Sequence, residues 1–190
     1  MMPMTRPTTL PPRCDAGMPR RLPAIAVVAA VLLAACATPQ PPAGPAPLTD
    51  ATPAQMVATI RATAGDGEDE LAVQPLRDPQ VEDLRERAAR LESQGQLAEA
   101  VVALDQAIAI VADDPALLQE RAELALLQGD HAAAAVLAER AHGIGARVGP
   151  LCRRHWATIE QVRLVAGDAE GAASAQAQVA GCKVAGPERY

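Results

Sequence analysis

Four cysteines and three histidines carry the richest chemistry in this 190-residue chain. Cys14 and Cys36 lie near the start, Cys152 and Cys182 near the end, and His131, His142 and His155 between the two groups or among the second. Cys152-Arg-Arg-His155, with Cys182 and His142, offers sulfur and imidazole donors for zinc. A lone Cys-x-x-His turn lacks the paired ligand spacing of such sites, and no metal is expected. The loop Gly65-Asp66-Gly67-Glu68-Asp69-Glu70 lacks the alternating ligands and twelfth-position Glu of a Ca²⁺ loop and reads as solvated. Catalytic constellations are missing: no nucleophile–base pair, no H-E-x-x-H, no phosphate loop. Ser93 and Ser174 have no catalytic setting. Gly143-Ile-Gly145-Ala-Arg-Val-Gly149 has neither the preceding strand nor the spacing of a dinucleotide loop. The expectation is a protein that is not an enzyme and takes no cofactor.

The elements that position these residues are helices. Hydrophobic residues make up 49% of the chain but aromatics only 1%, with no Phe, so the core is built from Ala, Leu, Val and Ile, which favours close helix packing. Thr52-Pro53, Asp78-Pro79 and Asp114-Pro115 each place a capping oxygen before a proline at the first helical position. Leu84, Ala88 and Leu91 recur at helical spacing, as do Leu97, Val101, Leu104, Ile108 and Val111, and then Leu118, Ala122 and Ala125. Further helices are read from His131 to His142, Cys152 to Gly167, and Asp168 to about Lys183. Gln94-Gly95-Gln96-Leu97-Ala98-Glu99-Ala100 is echoed by Gln128-Gly129-Asp130-His131-Ala132-Ala133-Ala134, with the glycines 34 residues apart. A looser copy follows at Ala166-Gly167-Asp168, 38 residues on. A period of this size indicates stacked helix-turn-helix units. The net charge of −6 becomes −9 without residues 1–35, and an acidic chain without aromatic platforms excludes nucleic acid as a partner.

Met18-Pro-Arg20-Arg21 precedes an apolar run, Leu22–Ala35, that is shorter than the ~20 residues of a spanning helix and has the layout of a secretory signal. It ends in Leu33-Ala34-Ala35-Cys36, which resembles the lipobox of bacterial lipoproteins. That resemblance implies removal of residues 1–35 (an upstream extension plus signal peptide) and a diacylglycerol on Cys36. With Ala37 rather than Asp next, it implies a place at the outer membrane, on its periplasmic face. Residues 36–52 are Pro-rich and read as an extended tether. Residues 53–77 hold a short helix, with Met56, Val57 and Ile60 on one face, and the acidic loop. Residues 78–186 hold the array.

These pairs resemble tetratricopeptide repeats (TPR). The bulky position is Leu84, Leu118 and Trp156; the small one is Ala88 and Ala122, with Glu160 in the third copy; the turn glycines are Gly95, Gly129 and Gly167. The two alanine positions of the second helix are Ala100, Ala134 and Ala172, then Ala107, Ala141 and Val179. The resemblance implies an all-α fold: a short solenoid of about three TPR-like pairs, its third copy diverged. It also implies a concave face formed by the first helices, with Arg85, Glu92, Gln119, Glu123, Leu126, Leu127, Arg154, Gln161 and Leu164 as candidate binding residues. An alternative role for Leu126, Leu127 and Leu164 is packing between repeats or under the Pro-rich segment. In this register Cys152 starts one helix and Cys182 ends its partner, so the pair is expected to form a disulfide in an oxidising compartment. The resulting expectation is a lipid-anchored adaptor for periplasmic or outer-membrane proteins in envelope assembly, serving pilus, outer-membrane protein or peptidoglycan machinery. The alternatives are a self-associating structural subunit and, less favoured, an envelope hydrolase.

Overall fold

Five of the helices described start where a side chain accepts from their first amides, and most stop at a glycine. The structure, a computed structural model, describes residues 44–65 and 78–183. The signal segment, Cys14, Cys36, the tether before residue 44, the acidic loop from Asp66 and the tail beyond 183 lie outside the described residues. Among the described residues there are seven helices: α1 Pro53–Thr63, α2 Pro79–Ser93, α3 Leu97–Ile110, α4 Pro115–Leu127, α5 His131–Ile144, α6 Pro150–Val165 and α7 Ala169–Gly181. Thr52 caps α1 in a reciprocal box: its hydroxyl accepts from the Gln55 amide at 3.3 Å, and the Gln55 side chain accepts from the Thr52 amide at 2.8 Å. Asp78, Asp114, Asp130 and Asp168 cap α2, α4, α5 and α7 through carboxylate oxygens. Gln96, at the equivalent place before α3, makes no side-chain cap.

The three turns that suggested a repeat are built alike. Gly95, Gly129 and Gly167 have φ of 75°, 78° and 74°, a left-handed conformation that favours glycine. In each, the amide after the glycine reaches back five residues: Gln96 to Leu91 O, Asp130 to Ala125 O and Asp168 to Arg163 O, all at 2.9 Å. The glycine amide itself bonds Glu92 O, Leu126 O and Leu164 O. This is the Schellman closure, which uses up orphan carbonyls of the preceding helix.

The turns close three helical pairs, α2–α3, α4–α5 and α6–α7, stacked in sequence through α3 on α4 and α5 on α6. The first pair and α4 share an apolar cluster of Val81, Ala88, Ala100, Ala103, Leu104, Ala107, Leu117 and Leu124. Ala122, Ala138, Ile159 and Ala175 join the second pair to the third, with Trp156 partly buried beside them. The fold is all-α among the described residues. Helix α6 is 16 residues long against 13 for α4, and its added residues lie at its N-terminal end, since both helices stop two residues before their turn glycine. Glu160, which stands at the small position of the third copy, is half-buried, and burial raises its carboxyl pKa. Ala157, one turn earlier, is the small residue that is buried, at 2% exposure.

The third pair is bridged by a Cys152–Cys182 disulfide with a Cα separation of 5.8 Å, inside the range such bonds require. Both cysteines are buried. No helix among the described residues is long and apolar enough to cross a membrane.

Candidate protein-interaction groove

Helices α2, α4 and α6, the first of each pair, provide the side chains expected on the concave face. Helix α1 packs across α4 and α6. Its apolar side, Met56, Val57 and Ile60, is buried, and Val57 and Ile60 meet Ala125, Leu126 and Ala157 in one cluster. The preceding chain runs along α6: the Leu48 amide donates to Leu164 O at 2.8 Å. A Cβ on Gly167 would come within 2.6 Å of Ala46 O, so that glycine serves both the turn and this approach.

Beneath α1 lies a polar network. The Glu123 side chain is fully buried, accepting from Arg61 Nε of α1 at 2.8 Å, Arg154 Nε of α6 at 2.9 Å and Gln119 Nε2 at 2.9 Å. Three donors, two of them cationic, offset the cost of taking a carboxylate out of water. The other two nitrogens of Arg61 grip Glu92 of α2 bidentately at 2.8 and 3.0 Å. That contact with Glu92, strengthened by Glu123, raises the guanidinium pKa further above its ordinary value. Gln119 Nε2 also donates to Thr158 Oγ1 at 2.8 Å, and the Thr158 hydroxyl donates to Arg154 O at 2.9 Å. Because the Gln119 amide nitrogen is a donor twice, its oxygen must accept. His155 Nδ1, 2.7 Å away, therefore carries the proton. His155 Nε2 is buried without a hydrogen-bond partner. Burial, followed by the nearby His142 and Arg154, pushes this imidazole down to about 3. At the end of α1, Arg153 donates to Thr63 O at 3.0 Å and also to Ala64 O, placing a cation where the helix dipole is negative.

The expected binding residues thus divide. Gln119, Glu123 and Leu126 are fully buried, and Gln161 is 8% exposed. Arg154 is committed to Glu123, and Leu127 and Leu164 are half-buried. Arg85 and Glu92 stand at the open side. Arg85 pairs with Glu82 at 2.9 Å and with Glu120. Here a cleft of about 520 Å³ lies between the end of α1, α2 and α4, floored by Ala88, Ala89, Leu104 and Leu124. Arg61, Arg153, His155 and Thr158 were absent from the sequence-derived set. A signal for them existed: α1 is amphipathic and left over once the repeats are paired, so its apolar side had to find the array. Among the described residues, no group of three or more His, Cys, Asp or Glu could hold a metal.

No family model and no curated protein matches the chain. Among solved structures it is similar to the globular C-terminal domain of LpoP from P. aeruginosa, with 30% identity and a TM-score of 0.52. The match spans 55% of this chain and 99% of that domain. At that identity, over essentially the whole of the compared domain, this chain belongs to the family of the LpoP globular C-terminal domain.

Proposed function

We propose that this protein is an outer-membrane lipoprotein, anchored through Cys36, whose TPR-like array is a non-catalytic adaptor in cell-envelope assembly. Of the three settings the sequence allows, the likeness to LpoP favours peptidoglycan synthesis over pili and outer-membrane protein insertion. The observation that carries the reading is that likeness, 30% identical across 99% of the LpoP domain. The groove supports it: the open cleft by α2 presents an apolar floor with charges of both signs at its rim, the mixture used for protein recognition.

The test is a pull-down with the full chain from detergent-solubilised envelopes of its native host. A stoichiometric peptidoglycan-synthesising enzyme is the expected co-purifying protein, and recovery of the chain with only itself would sink the adaptor. Mass spectrometry of the mature N-terminus addresses the anchor separately: an acylated Cys36 is expected, and an unmodified one refutes it.

A further inference from the structure

Helix α1 belongs to none of the three pairs. Each pair closes its own glycine turn and stacks on the next, so the array is complete from Pro79 to Gly181 without it. Yet α1 is held by a specific set of contacts. Met56, Val57 and Ile60 are at most 4% exposed. Arg61 joins Glu92 to Glu123, and Arg153 takes the last carbonyls. The groove is therefore fitted to a helix: an apolar strip, paired carboxylates for a cation near its end, and a guanidinium for its C-terminus. If Arg61 leaves, Glu123 keeps Arg154 and Gln119 as donors, so an emptied groove strands no buried carboxylate.

We propose that the α4–α6 part of the groove is a receptor for an amphipathic helix of pattern apolar-apolar-x-x-apolar-Arg, and that α1 is its resident occupant, exchanged for a partner helix of the same chemistry. The inference deepens the adaptor reading and rests on it for the foreign helix. A tethered helix acts at an effective concentration that is roughly millimolar. A foreign helix must therefore bind the empty groove well below that value to replace it.

The probe is a fluorescein-labelled peptide of residues 50–65, titrated by anisotropy against the full chain and against the full chain carrying V57D and I60D. The peptide is expected to bind the variant at least tenfold more tightly than the unmodified chain. A peptide with Arg61→Ala is expected to bind that variant at least tenfold more weakly than the unaltered peptide. Equal binding to both chains, no binding to the variant, or loss of the α2–α7 helices in the variant would overturn the proposal, the last because α1 would then be part of the array. Hydrogen exchange on the unmodified chain gives a second measurement. Amides of α1 are expected to exchange at least tenfold faster than those of α4 and α6, and equal protection overturns the idea. Neither result depends on what the envelope pull-down recovers, so the two readings fail separately.

Discussion

The first and third helical pairs solve the same packing problem with different materials. The α2–α3 pair meets α4 through small and branched apolar side chains, with Ala100, Ala107 and Leu117 fully buried. The α6–α7 pair is bridged by a disulfide, and α6 faces α4 across Gln119, Glu123, His155 and Thr158, all fully buried polar residues. Apolar contact is tolerant of exact partners, since hydrophobic residues of about the right size suffice. A buried polar seam is not: every donor and acceptor needs its counterpart. The third pair is thus the demanding end of the molecule, and it is also the end that receives α1.

The contrast can be broken most severely at Glu123. Glu123→Ala would leave the Arg154 and Gln119 donors without their acceptor, and a loss of about 3–5 kcal/mol is expected from urea unfolding. A loss below about 1 kcal/mol would mean that the seam contributes no more than a surface pair. Next comes the staple. Replacing Cys152 and Cys182 by Ser opens a 30-residue separation, for which the chain-entropy model gives about 3–4 kcal/mol. An unchanged unfolding midpoint would show that the polar seam alone secures the third pair.

Acid should also act on this end. The His155 imidazole is ordinary when unfolded but refuses a proton in the fold until about pH 3. Its contribution is therefore complete above about pH 6.5 and falls as pH drops through that window, by about 1.4 kcal/mol per unit. Stability measured against pH for the native chain and for His155→Gln should differ by that slope; parallel curves would contradict it. The smallest effect belongs to the first pair. Gln96 occupies the cap that Asp130 and Asp168 fill in the later copies, with similar backbone angles. Gln96→Asp is expected to add about 0.5–1 kcal/mol in thermal unfolding, and a loss there would show that the copies are not equivalent at the turn.

The sequence carried local signals well and distant ones poorly. Asp114-Pro115 and Gly129 announced a start and a stop, because capping is settled within four residues. The cysteine pairing was legible once the helices were placed. Arg61 meeting Glu123, 62 residues away, and Arg153 meeting Thr63, 90 residues away, leave no periodic trace. Glu123 read as a groove residue because one helical face was known; that another helix would cover it was not, since polar residues record exposure and buried pairing alike.

The bond between Leu48 and Leu164 has a mechanical consequence. Tension entering the chain upstream of Gly44 would not be spread over the array at once. It would load the Leu48–Leu164 contact first, then the seating of α1, with Arg61 and Arg153 as its fasteners. The far side of that seat is α6, cross-linked to α7. The molecule is thus reinforced along the path a pull from its N-terminal side would take, and the first part to yield would be the one that opens the groove.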